Sequence, residues 1–409
     1  MIGAACYSDF KIFWRGCGRI AIAAKPISSA QRHLQNMAQS QLSNATLFTI
    51  KETPSAGRGV FPTSSLPAGT SLLTTNIIPA YVILREYKKE VCTQCFTYEQ
   101  GRAIKIRDGR LGLYFCSETC QLGWRASTTD TELAAIETVE SFVKNKSKTR
   151  KALVYDGVNG GFLPDASSVR PSVEQINYSW NSVSSTADFI RQARAGSQAK
   201  PHRRALQAAV TVPPNPNVLS FLLSGILTQA LRPDGWRSLT QLVSDETPYP
   251  SPSDLENNVY AYLQLLALLP TDLLPHVQPN TCRAIVERDS HNSFGIRSLD
   301  DDGDEFFGYA LWPKASFFNH SCKPNVAKKR TGRSWEFWLL RDVNADQELT
   351  ISYLGGEENE LGFAERRRRL QTTWGFECQC ERCDLEDAEK QMSEMYFGST
   401  ILEESDRAN

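Results

Sequence analysis

The fold is decided by a ten-residue segment, Ser316-Phe317-Phe318-Asn319-His320-Ser321-Cys322-Lys323-Pro324-Asn325. Two aromatic residues lead directly into an amide, an imidazole, a hydroxyl and a thiol. Alone, an Asn-His-Ser-Cys stretch is also typical of a turn, because small polar residues favour turns. Its meaning therefore depends on the segments on either side of it.

Four further segments accompany it. Residues 348–353 read Glu-Leu-Thr-Ile-Ser-Tyr, and residues 374–383 read Trp-Gly-Phe-Glu-Cys-Gln-Cys-Glu-Arg-Cys. Upstream, residues 57–60 read Gly-Arg-Gly-Val and residues 292–294 read Asn-Ser-Phe. Each segment alone is weak evidence, whereas five segments in this order and at this spacing are specific.

Cysteine placement indicates metal binding. The chain has 409 residues and 11 cysteines, and seven of them form two tight groups: Cys92, Cys95, Cys116 and Cys120, then Cys378, Cys380 and Cys383. Cys-x-x-Cys spacing lets two thiolates reach one zinc ion. The alternative, a disulfide framework, is disfavoured by the size of the chain and by the absence of a secretory apolar region.

Composition excludes several classes of protein. With 45 Lys and Arg against 46 Asp and Glu, the net charge of −1 argues against direct nucleic-acid binding. An apolar content of 41% and a charged content of 22% are those of a globular protein. No apolar run approaches the roughly 18 residues of a membrane-spanning helix, so no membrane partner is expected. The sequence indicates no oligomeric state.

Together the five segments resemble the SET-domain lysine methyltransferases, in particular the SET-and-MYND (SMYD-type) branch. The resemblance covers about residues 47–384, apart from 145–215. In that family a MYND zinc finger splits the SET sequence after its first strands, and here the cysteine module at 92–120 stands at that point. The resemblance implies an α+β fold of small twisted β-sheets. It also implies a helical insertion and a cysteine-rich post-SET zinc cap.

The function implied is methyl transfer from S-adenosylmethionine to the lysine ε-amine of a protein, histone or non-histone. Because free lysine has a pKa of about 10.4, its amine must first lose a proton. An apolar aromatic channel favours that loss and aims the nitrogen at the methyl group. The alternative is a non-catalytic protein-interaction module, which would need only the cysteines and the core.

By resemblance, Tyr353 is the catalytic tyrosine, and Phe294 and Trp374 line the substrate channel. The family often has Tyr at the position of Trp374, so channel width is expected to differ. For each aromatic residue the alternative is ordinary core packing. Cofactor contacts carry over to a set of eight residues: Gly57, Arg58, Gly59, Asn292, Asn319, His320, Tyr353 and Phe376.

Several of these residues have a specific expected role. Arg58 meets the methionine carboxylate and Phe376 stacks on adenine, while the glycines allow close backbone approach. His320 has two rival interpretations, as a zinc ligand or as half of a Cys–His nucleophilic pair. Cys322, two residues further on, is expected to be poorly placed for the second.

Two zinc ions per chain are expected. In the family, Cys322 joins Cys378, Cys380 and Cys383 in a post-SET site, which would couple metal binding to folding. Cys92, Cys95, Cys116 and Cys120 match one of the two sites of a MYND finger. The ligands of its second site are absent from the sequence, so a half-finger with one zinc is predicted.

The motifs divide the chain into seven parts: a basic N-terminal arm or presequence (1–45), the SET N-terminal part (46–91), a half-MYND module (92–124), a helical and partly disordered insertion (125–253), inserted helices with the SET catalytic core (254–356), the post-SET segment (357–385) and an acidic tail (386–409). The expected location is the nucleus or cytoplasm. The alternative is the mitochondrion, because the basic arm resembles a presequence.

Apolar periodicity predicts helices at 132–144, 217–231, 254–269, 280–289 and 365–374. It predicts strands at 47–50, 293–296, 306–312, 335–340 and 349–353. Residues 145–215 lack such periodicity and are rich in Ser, Asn and Pro, so a long and at best partly ordered insertion is expected. The arginine run at 366–369 is expected to form a solvated helix face or to attract an acidic partner.

Overall fold

The computed structural model of the chain describes residues 47–149, 169–298, 305–355 and 359–392. Within these ranges the strands form five small sheets. They lie at Phe48–Glu52 (β1), Arg58–Pro62 (β2), Ser71–Thr75 (β3), Tyr81–Ile83 (β4), Ile106–Asp108 (β5), Leu113–Phe115 (β6), Ser293–Arg297 (β7), Phe306–Leu311 (β8), Asn319–His320 (β9), Val326–Thr331 (β10), Ser334–Leu339 (β11) and Thr350–Ile351 (β12). The predicted α+β fold of small sheets is confirmed.

The sheets join segments that are far apart in sequence. β3 pairs with β11, which also pairs with β10, and β4 pairs with β8, which also pairs with β7. β1 and β2 form an antiparallel hairpin, whereas β9 and β12 pair in parallel. β3 and β4, which precede residue 84, thus pair with strands that follow residue 292. The intervening chain is an insertion between the early and late strands of the same two sheets.

The helices account for most of that insertion. They lie at Glu118–Ala126 (α1), Asp130–Thr149 (α2), Val173–Ser182 (α3), Ser184–Arg194 (α4), Lys200–Thr211 (α5), Pro216–Leu231 (α6), Pro233–Thr240 (α7), Pro252–Leu268 (α8), Pro279–Val286 (α9), Asp289–Asn292 (α10) and Phe363–Trp374 (α11), with two short 3₁₀ helices at Arg85–Tyr87 and Thr271–His276. All five helices predicted from periodicity are present, with ends shifted by a few residues. No helix among the described residues is long and apolar enough to cross a membrane.

The expectation of little order across 145–215 is wrong for its second half, where α3, α4 and α5 lie. Ser172 closes a capping box at the start of α3, which stabilises the helix without large apolar residues. Only two residues of α3, Ile176 and Trp180, are buried, yet they lie four positions apart on one face. The Trp180 Nε1–H donates to the Tyr249 hydroxyl at 3.0 Å. Two buried residues on one face are thus sufficient to dock α3, because they pack against a large helical core.

That core is formed mainly by α6 and α8, the two most apolar helices. α6 is buried along most of its length, and Gly225 permits close packing because a Cβ there would collide with Ile285. Buried side chains from the insertion pack together with Val82 of β4 and Leu311 of β8. The insertion therefore packs against the sheets of the SET part.

The chain after the last strand forms a cap. α11 is followed by a turn at Gly375, whose φ of +75° is left-handed, and then by helical residues 381–392. The predicted tail, which starts at residue 386, therefore begins inside a helix. Its first residue, Glu386, forms ion pairs with Arg366 and Arg382. The basic arm at 1–45 lies outside the described residues.

Candidate active site and zinc centres

The site is assembled where β9 and β12 pair in parallel. Asn319 lies opposite Thr350, and His320 lies opposite Ile351. Because Tyr353 follows β12 by two residues, the pairing brings it beside His320. The backbone N–H of Tyr353 donates to His320 Nδ1 at 3.0 Å. Two motifs separated by about thirty residues are thereby locked together at the level of individual atoms.

The Tyr353 side chain is held from several sides. Its hydroxyl donates to the carbonyl oxygen of Phe318 at 2.9 Å. Its ring lies 5.3 Å from the Trp374 ring and 6.3 Å from the Phe376 ring, measured between centroids. Burial raises the pKa of Tyr353 well above its usual value, and the nearby Glu348 carboxylate raises it further. The phenol is therefore protonated at neutral pH and acts as a hydrogen-bond donor.

The Gly-Arg-Gly segment meets this assembly from the other side. Val60 of β2 bridges to Leu349, next to β12. Gly57 has a φ of +67°, which a side chain would strain. A Cβ at Gly59 would collide with the Glu348 carboxylate and lie 3.0 Å from Asn319 Nδ2. Close packing of this segment against the site thus requires glycine there.

Asn319 and Arg58 connect the two segments. Asn319 Nδ2 donates to the carbonyl oxygen of Arg58 at 3.2 Å and to Glu348 Oε1 at 2.7 Å. The Arg58 guanidinium donates to the carbonyl of Gln241 at 2.6 Å and lies 5.0 Å from the centroid of the Phe317 ring. A guanidinium has five N–H donors, so the bond to Gln241 leaves capacity for a carboxylate ligand.

Asn292 is buried and anchors the insertion to the site. Its Nδ2 donates to the carbonyl oxygens of Val243 and Arg288, at 3.0 and 2.9 Å. Its own carbonyl accepts from the Ser316 hydroxyl at 2.7 Å. Asn292 therefore fixes the start of the 316–325 segment through its backbone, while its side-chain amide nitrogen is used for structure.

Asp289, at the start of α10, predicts a pH-dependent stability. Burial of its carboxyl raises the pKa to about 7, although the Ser293 hydroxyl donates to it. A raised pKa stabilises the fold fully below the unfolded value of about 3.9, and that stability is lost as pH rises through 7. We expect the free energy of unfolding to fall by about 2 to 4 kcal/mol between pH 5 and 8.

Urea denaturation of Asp289→Asn at both pH values tests this. The variant should lose most of the pH dependence, because its amide does not titrate. Asp272→Asn, at an exposed position, serves as the control and should behave as the wild type. An equal pH dependence in the wild type and in Asp289→Asn would contradict the assignment.

The two predicted channel residues lie in different aromatic groups. Trp374 contacts Tyr353, whereas Phe294 lies 5.4 Å from Trp335 and 6.1 Å from Trp312 between ring centroids. Phe294 and Tyr353 nevertheless pack against the same core of the SET part. On the cofactor side, the Phe376 ring lies 6.2 Å from the His320 ring. The structure thus places Trp374 and Phe376 beside Tyr353 and His320, whereas Phe294 lies in the separate ring group of Trp312 and Trp335.

Four thiols converge beneath this site. The sulfur atoms of Cys322, Cys378, Cys380 and Cys383 all lie within 4.8 Å of one another, and three of these residues are buried. Cys322 Sγ is 3.9 Å from Cys378 Sγ and 3.6 Å from Cys383 Sγ. A tetrahedral zinc with Zn–S bonds of about 2.3 Å separates its sulfurs by about 3.8 Å. The donor set therefore fits zinc.

The second cluster fits equally well. It contains Cys92, Cys95, Cys116 and Cys120, with 3.5 Å between the sulfurs of Cys95 and Cys116 and 3.6 Å between those of Cys116 and Cys120. β5, β6 and α1 carry the module, whose core includes Phe115 and Trp124. All cysteines in the described part of the chain are free thiols, which agrees with metal binding rather than disulfides.

His320 also touches the post-SET cluster. Because its Nδ1 accepts from the Tyr353 N–H, its Nε2 carries the hydrogen and donates to Cys322 Sγ at 3.3 Å. The expectation that Cys322 is poorly placed as a partner of His320 is wrong, because the turn after β9 brings the side chains together. The thiol belongs to the four-sulfur cluster, so the pair links the zinc site to Tyr353.

Arg366 balances the charge of the same cluster. It is 1% exposed, pairs with Glu386 and lies 4.0 Å from Cys383 Sγ. The next three arginines pair with Glu377 or Glu365. The expectation of a solvated helix face holds for these three residues, which stay at least partly exposed in ion pairs with local carboxylates. It is wrong for Arg366, which is buried.

Replacing Arg366 is expected to loosen the cap. Arg366→Met leaves buried thiolates without a compensating cation and should cost about 2 to 3 kcal/mol of unfolding free energy. Arg367→Met, on the same helix but in an exposed ion pair, should cost less than about 1 kcal/mol. Urea denaturation and the rate of zinc release to a chelator measure both effects. Equal losses in the two variants would contradict this role for Arg366.

Sequence reasoning missed several residues of the site. Nothing in the segment 348–353 indicates a role for Glu348, although it accepts from Asn319 and constrains Gly59. Lys328 lies on β10 and Trp335 on β11. The strand predicted at 335–340 covers most of β11, whereas β10 was not predicted because its sequence is rich in Lys and Arg. The sequence Val-Ala-Lys-Lys-Arg-Thr does not alternate between apolar and polar residues, so the burial of Val326 and Arg330 beside exposed Lys329 is seen only in the structure.

Comparison with known proteins now identifies the family. The SET domain matches residues 57–354, which is more than half of the chain. The chain belongs to the SET-domain family. The matched range begins at the Gly-Arg-Gly segment and ends one residue after Tyr353. It therefore spans the insertion as well as every strand of the site.

Individual relatives agree with this assignment. The SET-domain chain is 29% identical over 367 residues to the potential protein lysine methyltransferase SET6 of Saccharomyces cerevisiae, covering 83% of this chain and 95% of that protein. It is 36% identical over 85 residues to the histone-lysine N-methyltransferase SMYD3 of Homo sapiens, covering 21% and 19%. It is 28% identical over 180 residues to the histone-lysine N-methyltransferase ASHR2 of Arabidopsis thaliana, covering 41% and 44%. The resemblance to the SET-and-MYND branch is confirmed.

Proposed function

We propose that this SET-domain protein transfers a methyl group from S-adenosylmethionine to the ε-amine of a lysine in a protein substrate, with Tyr353 as the catalytic residue. The observation that carries the proposal is the junction of β9 and β12. There the Tyr353 backbone is held by His320 and its hydroxyl by the Phe318 carbonyl. The SET family and the similarity to SET6 support the same reaction.

Bound S-adenosylmethionine supplies an electrophilic methyl group on sulfur. The chain must then hold a neutral amine in line with that group and keep water away. Rings around Tyr353 create a poorly solvated space, which lowers the pKa of an amine that enters it. The Tyr353 hydroxyl stays protonated because burial raises its pKa, so its hydrogen stays directed at the Phe318 carbonyl and its oxygen orients groups by accepting hydrogen bonds.

We infer the cofactor contacts from the geometry of the surrounding residues. The donor capacity of Arg58 suits a carboxylate, and the Phe376 face beside His320 suits adenine. Gly57 and Gly59 keep the backbone close, while Asn319 and His320 lie at the centre of the contacts. Asn292 is assigned a positioning role beside the methionine part. Phe294 and Trp374 are proposed to line the channel for the substrate lysine.

The zinc sites are proposed to have separate roles. The post-SET cluster holds Cys322 against the cap and thereby fixes His320 and Phe376. The half-MYND module is proposed to be structural, because its apolar side chains are used in its own core. The seven-part division of the chain given by the motifs is retained as a proposal.

A protein substrate is implied by lysine methylation, and direct nucleic-acid binding is not expected from a net charge of −1. We propose a nuclear or cytoplasmic location, with the mitochondrion as the alternative if residues 1–45 act as an address. Reporter fusions with and without residues 1–45 decide between them. Loss of mitochondrial import on deletion would support the alternative.

The test of function is methyl transfer. Zinc-replete protein is incubated with S-adenosylmethionine carrying a radioactive methyl group and an array of histone and non-histone proteins. Label on lysine is the expected result. The alternative, a non-catalytic interaction module, predicts no transfer together with retained zinc and partner binding. An unbiased comparison of methylated proteins with and without the gene would then identify the substrate.

A further inference from the structure

Lys328 occupies an unusual position in the SET part. It lies on β10 between two buried residues of the same face, Val326 and Arg330, and opposite buried Phe337 of β11. Strand alternation therefore turns its side chain toward the core, whereas Lys329 is exposed. An apolar residue is the ordinary choice at such a position, because turning a lysine inward costs solvation.

The ammonium of Lys328 contacts one backbone carbonyl and two aromatic rings. Its Nζ donates to the carbonyl oxygen of Ser352 at 2.6 Å. It also lies 5.6 Å from the centroid of the Phe294 ring and 5.8 Å from that of Trp335. Aromatic faces at this range attract a cation, and a charged donor strengthens the bond to a carbonyl. Ser352 immediately precedes Tyr353.

The same aromatic group contains a hydrogen-bond donor that is not satisfied. The Trp335 Nε1–H is buried and has no hydrogen-bond partner within the described residues. Trp335 packs on Phe294, the ring proposed to line the channel for the substrate lysine. A buried donor without a partner costs free energy unless a ligand supplies an acceptor. A backbone carbonyl of a bound substrate would meet that need.

We propose that Lys328 is a built-in competitor for the substrate lysine, whose ammonium takes the Phe294 and Trp335 faces until substrate displaces it. The proposal rests on the proposed function, because Phe294 is assigned to the channel there. A second ammonium cannot share these faces, since two like charges a few ångströms apart repel strongly in a poorly solvated space. Part of the binding free energy of the substrate is therefore used to displace Lys328.

Kinetics of Lys328→Met test the competition. Methionine keeps the length and apolar stem of the side chain but removes its charge. With a lysine-containing protein substrate, KM should fall by about fivefold or more while kcat stays within about twofold. Lys328→Arg retains a cation and should not lower KM. Lys329→Met, the exposed neighbour, is the matched control and should behave as the wild type.

A binding measurement separates this proposal from the proposed function. n-Butylamine, a stand-in for the lysine side chain, is titrated into zinc-replete protein containing S-adenosylhomocysteine and followed by NMR. Lys328→Met should bind it about fivefold more tightly than the wild type does, whether or not any turnover is observed. Unchanged or weaker amine binding, or a KM that is unchanged or raised, would overturn the role of Lys328. Turnover by the wild type would still stand as evidence for the enzyme.

Discussion

Tyr353→Phe is expected to fold as the wild type does and to lose most methyl transfer. The substitution removes one oxygen atom, and with it both the hydrogen bond to the Phe318 carbonyl and the acceptor that orients the reacting groups. Loss of a positioned polar group of this kind lowers kcat by about a hundredfold or more. The backbone N–H of residue 353 still reaches His320, so the junction of β9 and β12 should remain intact.

The measurement is single-turnover methyl transfer, together with the affinity for S-adenosylmethionine. Affinity should change by less than about threefold, because the ring of residue 353 stays in place. Tyr114→Phe, in the half-MYND module, is the matched control and should keep full activity. Unchanged turnover in Tyr353→Phe would refute the catalytic assignment.

Cys322→Ser is expected to have the second large effect. Its sulfur belongs to the post-SET cluster and accepts from His320 Nε2, whose other nitrogen holds the Tyr353 backbone. The variant thus loses a metal ligand and a connection to the catalytic residue at once. We expect zinc content to fall from about two ions per chain to about one. Affinity for S-adenosylmethionine should fall by about a hundredfold or more.

Cys282→Ala provides the matched control, because Cys282 is a buried thiol outside both clusters. It should keep two zinc ions and bind the cofactor as the wild type does, although its stability falls with the lost packing. Metal analysis and calorimetry give both readouts. Full cofactor affinity in Cys322→Ser would show that the cap forms without this ligand.

Much of the site could be predicted from the sequence because its chemistry is concentrated in short motifs. The Asn-His-Ser-Cys segment and the Glu-to-Tyr segment each hold several functional atoms on a few consecutive residues. The strand pairing that joins them, β9 with β12, involves only two residues each. Cysteine spacing likewise predicted the cluster at 92–120 and three ligands of the post-SET cluster, since closely spaced thiolates reach one ion, whereas Cys322 was added by the resemblance.

What the sequence left out depends on long-range packing. α3 to α5 have few apolar residues, and their stability comes from contacts such as Trp180 with Tyr249, far away in sequence. The burial of Arg366 depends on Glu386 and on the thiol cluster, which no local pattern shows. Lys328 turns inward only because β10 pairs with β11. From local propensity alone, the helices α3 to α5, Arg366 and Lys328 are all predicted to be exposed and polar.

Calorimetric titration of S-adenosylmethionine into zinc-replete protein tests the central claim most directly. The arrangement of Arg58, Asn319, His320 and Phe376 around Tyr353 predicts saturable binding of one cofactor per chain. The zinc-free protein should bind far more weakly, because the cap carries Phe376. One-to-one binding that is lost when zinc is removed would support the account. Zinc-replete protein that binds no S-adenosylmethionine would contradict it.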